Sequence, residues 1–373
     1  MRIQTVVLIL TSLAASAFAQ NSSNTNEAFV AIPRNYTFQN KVEITNMPAV
    51  RSQDSIGICG AFAVAAVLDY NNCRKNNWDC KTIGDDKRVS TLDLARNGSA
   101  NMQMNVNDLF SRDSYKMIDV GVHPAKAAAV ATKIIGGATS EACAPFSAIV
   151  NRYNDSDVRQ VQTVQDLEKK VDDFTEGRST CIECIVETIK TDFPGVRDLS
   201  AVRRSLEYAK LNIGKVERDN SVSISGSTNQ DSIGFELFLK ELTISSRCDS
   251  RGNLIDVTTA SSELDLAPEN ISLEALEKFI SEKLTQSKPV IVSGLCLDSS
   301  RLSPQDCESL HALVIKGEAT RCHPSGKPCS KSYLVHNSWG DSWQRNFDGG
   351  WVSAPEFIRR VRTNDGVPAL SIR

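Results

Sequence analysis

The chain carries 11 cysteines, and it opens like a protein bound for an oxidising compartment. Residues 1–19, MRIQTVVLILTSLAASAFA, hold one basic side chain, Arg2, then an apolar run and a small-x-small end at Ala17 and Ala19. That is the pattern of a cleaved secretory signal. Export favours disulfides, and an odd count leaves at least one thiol over. Four pairs are close in sequence: Cys73 with Cys80, Cys181 with Cys184, Cys296 with Cys307, and Cys322 with Cys329. Cys143 and Cys248 then remain as a long-range pair, and Cys59 is the odd one out. Cys181 and Cys184 are also spaced like a redox or metal motif. A metal site needs further ligands, and none of the 4 histidines is near them in sequence. Structural disulfide is therefore the first reading, and no metal site is expected.

Cys59 stands in the stretch SQDSIGICGAFAVAAVLDY. After it, Ala61, Ala65 and Leu68, with Phe62 and Ala66 beside them, repeat at helical spacing. Before it, Asp54, Ser55 and Gly57 suit a turn and a helix cap. The spacing predicts a buried helix that starts near Cys59, where the partial positive charge of the helix end favours a thiolate. A thiol attacks a carbonyl only as thiolate, and its ordinary pKa is ~8.5, so such a role also needs an imidazole. Without that partner, Cys59 reads as a buried structural cysteine.

His123, His311, His323 and His336 are the candidates. His311 opens HALVIKG, a β-prone run that would hold the imidazole at the start of a strand. SYLVHNSWGDSW reads as a second strand ending at Asn337. The Asn337 carbonyl can hold an imidazole N–H, and Trp339 can cover that bond. His323 falls in a Cys/Pro/Gly loop and reads as exposed. His336 alternates with Asn337 and is expected to face away from it.

Together SQDSIGICGAF, LHALVIKG and HNSWGDSW resemble the papain-like cysteine peptidases, whose nucleophile region and downstream His and Asn have a known pattern. The resemblance covers roughly residues 32–148 and 272–360. It implies Cys59 as nucleophile, His311 as base and ion-pair partner, and Asn337 as the group orienting His311. It implies that the Gln53 side chain and the Cys59 N–H bind the oxyanion. Gly60, Gly121, Pro124 and Trp339 are expected to line the substrate cleft. It further implies an α+β, two-lobed papain-like fold, a helical lobe plus an antiparallel barrel-like lobe, acting on protein or peptide substrates, more as an endopeptidase than an exopeptidase, without a cofactor.

Three departures stand out. The family usually has Trp after the nucleophile; here Gly60 is expected to leave open space. The usual cysteine just before the nucleophile is replaced near Ile56. The His and Asn lie roughly a hundred residues further on than the family's ~130–150. The excess falls about 150–270. There Val161, Val164, Leu167, Val171 and Phe174 share a helical face, as do Leu199, Val202, Leu206, Ala209 and Ile213. CIECIVETI and GFELFLKEL read as further helices, and NSVSISGSTNQ as a short strand and loop. This predicts a mainly helical insertion in a catalytic domain of residues 32–373, after a polar leader at 20–31.

About a dozen residues between the signal and Ile32 leave little room for an inhibitory prosegment. Control would then fall to the insertion or to a separate proteinaceous inhibitor. The net charge of −3 gives no footprint for nucleic acid, and no later run is long and apolar enough to span a membrane. The expected location is extracellular, periplasmic in a bacterium, or a lysosome-like compartment in a eukaryote. Asn35, Asn97, Asn154 and Asn270 sit in glycosylation triplets for a host that uses them. Two other functions fit the same residues: a binding protein that has lost catalysis, and a Cys-His-Asn amidase or transpeptidase on non-protein amides.

Overall fold

The computed structural model describes residues 29–54, 56–98, 122–148, 150, 157–220, 233–243, 254–257, 264–298, 307, 310–364 and 366–372. The expected signal at 1–19, most of the leader, Gly121, Cys248 and the predicted strand in NSVSISG lie outside the described residues. The first half of the chain runs β1 (Thr37–Glu43), α1 (Cys59–Asn76), α2 (Thr91–Gly98), α3 (Pro124–Ala129) and β2 (Ala138–Thr139). Four helices follow: α4 (Asp157–Thr175), α5 (Ile182–Asp192), α6 (Leu199–Asn220) and α7 (Ile233–Thr243). Then come β3 (Leu254–Ile255), β4 (Leu264–Leu266), α8 (Leu273–Thr285), β5 (Val290–Cys296), β6 (Leu310–Cys322) and β7 (Cys329–His336). The chain ends with α9 (Gly340–Asn346), β8 (Trp351–Ser353), α10 (Ala354–Arg359) and β9 (Ala369–Ile372).

The main sheet is antiparallel, in the order β4-β9-β5-β6-β7-β8, and β1 pairs with β6. Long β6 carries the arrangement. Its first half pairs with β5, Leu295 facing His311, and its second half pairs with β1, Thr37 facing Cys322. Its other edge pairs with β7, Val314 facing His336. Among the described residues the sheet does not close: β4 and β8 stand at opposite ends of the order. The expected barrel-like lobe is thus an open sheet.

Helix α1 packs on this sheet. Its residues from Gly60 to Tyr70 are all buried: those up to Leu68 are small or apolar on every side, and Asp69 is paired with Arg51. A helix of that composition is stable only in a core. Ala61, Val64, Ala65 and Val67 share that core with Val290, Val292, Val314 and Val335 from the sheet. Helices α4–α7 have a separate core. Leu167, Val171 and Phe174 of α4 meet Ile185 and Ile189 of α5, Val202 and Leu206 of α6, and Phe238 of α7. These are the residues whose spacing predicts helices there. Leu239 packs against both cores. Asp172, buried on α4, accepts from the Phe235 N–H at 3.0 Å and so serves the first turn of α7.

Cys73–Cys80, Cys181–Cys184, Cys296–Cys307 and Cys322–Cys329 are disulfides, as the spacing predicts. Cys143 is also disulfide-bonded, and Cys59 is the free cysteine among the described residues. No helix among the described residues is long and apolar enough to cross a membrane.

Candidate active site

Cys59 is the first residue of α1. The cap residue is Ile58, whose side chain makes no cap hydrogen bond, so the cap position itself is apolar rather than one of the polar residues expected there; Ser55 lies outside the described residues. The first N–H groups of a helix have no partner inside it. Left uncapped, those of Cys59 and Gly60 are available to the thiol and to whatever it meets. Gly60 is packed, which corrects the expectation of open space. A Cβ there would lie 2.3 Å from the Val122 carbonyl oxygen and 3.2 Å from Pro124 Cγ. Pro124, at the start of α3, is buried against this glycine and lines its wall. Gly60→Ala is expected to cost about 1–3 kcal/mol, because backbone rather than a pliable side chain occupies the space. A lowered urea midpoint would show it.

His311 enters on β6, directly across from Leu295 of β5, and is buried. Asn337 follows the last residue of β7 and is fully buried. The pairing of β6 with β7 brings the two side chains together: His311 Nε2 lies 2.7 Å from Asn337 Oδ1. The Trp339 ring sits on His311, centroids 4.8 Å apart at 31°. The peptide after His311 completes the join to α1: the Ala312 N–H donates to Cys59 Sγ at 3.3 Å. Thus Cys59, His311, Asn337 and Trp339 form one cluster at the end of α1.

Gln53 belongs to the same assembly. Its N–H donates to the Ser338 carbonyl at 2.8 Å, and Ser52 bridges to Trp339. Its side-chain oxygen accepts from Ser338 Oγ at 2.5 Å, and Nε2 donates to the Ile56 carbonyl at 3.0 Å. An amide nitrogen has two hydrogens, so one remains for a further acceptor. The segment before the thiol is therefore laced to the segment after Asn337.

Burial acts against charge at both ends of the pair. Cys59 is partly exposed as a residue, yet burial of its sulfur pushes the thiol up, opposed by the N–H groups of Ala312, Gly60 and Cys59 itself. Burial lowers His311 to about 4, opposed by its bond to Asn337. His336 is lowered to about 3 by burial and by the charges of Lys316 and Arg51. It lines a small cavity with Arg51, Phe62, Ala312 and Ser338. His323 lies in the turn between β6 and β7, partly covered, with Ser325 Oγ at 2.6 Å from Nδ1.

Sequence reasoning passed over Gln344. With its amide nitrogen turned to the Gly349 and Val335 carbonyls, at 2.8 and 3.2 Å, Gln344 accepts from the Asn337 N–H at 2.9 Å. Its five-residue offset from Trp339, in an apolar-polar helix turn, gives no distinctive signal.

No family model and no curated protein sequence matches the chain. Among solved structures it is similar to xylellain, a cysteine protease from Xylella fastidiosa, at 13% identity and a TM-score of 0.40, covering 93% of this chain and 96% of that one.

Proposed function

We propose that the chain is a papain-like cysteine peptidase, with Cys59 as nucleophile and His311 as its base. One observation carries this reading: a single strand, β6, presents an imidazole bound to Asn337 Oδ1 at 2.7 Å and, one residue on, an N–H bound to the free thiol at 3.3 Å. A structural cysteine needs no such partner set.

Neither charge is favoured alone in this packing. Moving the thiol proton to His311 Nδ1 makes both charges at once, and their attraction offsets what burial takes from each. Asn337 supports that step by accepting from Nε2–H, which leaves Nδ1 as the nitrogen to take the thiol proton. The thiolate attacks the peptide carbonyl, forming a C–S bond. The Cys59 N–H and the second Gln53 Nε2 hydrogen take the developing oxyanion. Collapse expels the amine, which receives the Nδ1 proton of His311. A water, its proton taken by the same nitrogen, then hydrolyses the acyl-enzyme. Trp339 keeps bulk water from the His311–Asn337 bond. This reading needs no metal.

The same reading takes residues 1–19 as an export signal and about 150–270 as an insertion in the catalytic domain. The separate core of α4–α7, met by the main core at Leu239, supports the second point. Among the described residues, nine disulfide-bonded cysteines against one free thiol suit an oxidising destination.

The test is labelling of the oxidised, secreted protein with a thiol-directed epoxide, together with analysis of products from protein substrates. The expected label is on Cys59, and the expected products are internal peptides. Labelling elsewhere, or an unlabelled protein, sinks the proposal. Cleavage of cell-wall amides with no action on proteins selects the amidase.

A further inference from the structure

The Trp339 ring that covers His311 is itself backed by other rings. Trp343, one turn along α9, stacks on Phe347 with centroids 4.4 Å apart. Trp339 and Trp343 meet edge-on at 6.1 Å. The remaining side of this cluster is filled from far away in sequence. Phe29, only 3% exposed, meets Trp339 at 5.5 Å, Trp343 at 5.0 Å and Phe347 at 6.1 Å, each near edge-on. It also reaches Phe357 of α10 at 6.4 Å.

The backbone around Phe29 is pinned. The Ser353 N–H donates to the Val30 carbonyl at 2.8 Å, and Ala31 bridges to Val352 on β8. Arg34 Nη2 donates to the Arg345 carbonyl at the end of α9, 2.8 Å away. Residues 29–34 therefore form a strap across α9 and β8, and Phe29 is its inward ring. The end of the segment expected as a polar leader is part of the fold.

We propose that Phe29 is a positioning residue for His311, acting through Trp339; this rests on the reading of Cys59, His311 and Asn337 given above. The torsion that turns an imidazole plane is broad, so no rotamer well fixes the ring. Its plane is set by the bond to Asn337 on one edge and by the Trp339 face. Trp339 can press on His311 only while something presses on Trp339. Among the described residues, Phe29 is the ring that does so from outside the 339–357 segment. Without it, Trp339 gains room to turn, and the imidazole loses the orientation that Asn337 and Trp339 give it.

The experiment uses the full chain with Phe29→Ala and Phe29→Leu. Leucine keeps most of the volume but lacks the ring face, so it carries the test where alanine fails to fold. Two quantities are read: kcat and KM on a peptide, and the pH dependence of Cys59 alkylation by iodoacetamide. The expected result is a loss of about 10²-fold in kcat/KM for Phe29→Ala, a cost that ångström-scale misplacement can carry, mostly in kcat. The acid limb of alkylation should move up towards the titration of an ordinary thiol. A purely structural role would lower the reactive fraction equally at every pH and leave the shape of the profile unchanged. That unchanged shape in both variants, with wild-type kcat per folded molecule, overturns the proposal. A wild-type chain that titrates as an ordinary thiol and cleaves no peptide overturns the peptidase reading with it.

Discussion

Cys59→Ala is expected to abolish peptide hydrolysis and thiol labelling together, whereas Gln53→Ala separates the two. The first result follows from chemistry: no other free thiol is present among the described residues to form the acyl-enzyme. The second follows from where each residue acts. Alkylation of the thiolate develops no oxyanion, so it does not need the Gln53 amide. Peptide attack does. Removing one oxyanion donor costs about 10²–10³ in kcat. Gln53→Ala should therefore lower kcat by that factor while the rate of epoxide labelling holds within a few-fold. The side chain also ties Ile56 to Ser338, so a fall in stability is expected as well, and kcat must be taken per folded molecule. An unchanged kcat, on a substrate whose chemical step limits turnover, would falsify the placement of the oxyanion site.

Arg51→Ala is expected to be among the most destabilising single changes, and to be more so at pH 8 than at pH 5. Arg51 reaches Asp69 Oδ2 at 3.4 Å, Glu141 Oε2 at 3.3 Å and the Val89 carbonyl at 3.1 Å. Asp69 has no side-chain exposure, and its other oxygen accepts from the Val89 N–H at 2.8 Å. Burial nevertheless raises Asp69 to about 6, with Arg51 the chief opposing influence, then Val89 and Arg88. Glu141 is raised for the same reason. An acid whose folded pKa lies above its unfolded value of ~3.9 stabilises the fold below the unfolded value, and that stability is lost as pH rises through about 6. Removing Arg51 raises both acids further and extends the loss to higher pH. Breaking such a buried pair costs about 3–5 kcal/mol where the acid left behind is ionised. At pH 5 Asp69 is mostly protonated and the cost should be smaller. His336 faces the same cavity, but lowered to about 3 it is neutral at both pH values and adds nothing to the difference. Urea midpoints at the two pH values decide it. Equal losses at both would show that packing of Arg51 on Phe62, rather than charge, sets the effect.

The local parts of this site were legible in the sequence. Cys59 heads a helix because the residues after it are small and apolar. His311 heads a strand, and Asn337 follows one. Near-neighbour cysteines pair because a short chain between them keeps the partners close. What was not legible has one physical cause: it depends on contacts between segments far apart. Gly60 reads as a gap until Val122 fills it. The helix cap reads as polar until Ile58 is seen there, with Asp54 Oδ1 near Ser52 Oγ, 3.0 Å away. Phe29 reads as the end of a polar leader until four rings are found around it. The barrel reads from the resemblance, and the open order of the sheet does not appear in any single strand.

The pairing of β1 with β6 has a consequence in time. Thr37 and Cys322 are partners, and 285 residues separate them. Chains grow from the N-terminus at about 5–20 residues each second, so β1 waits roughly 15–60 s for the other half of its ladder to be made across those 285 residues. Cys59 waits nearly as long for His311. Helix α1 can form early, but the thiol at its start has no imidazole beside it until most of the chain exists. A cluster divided in this way is assembled only once β6 and β7 have been made.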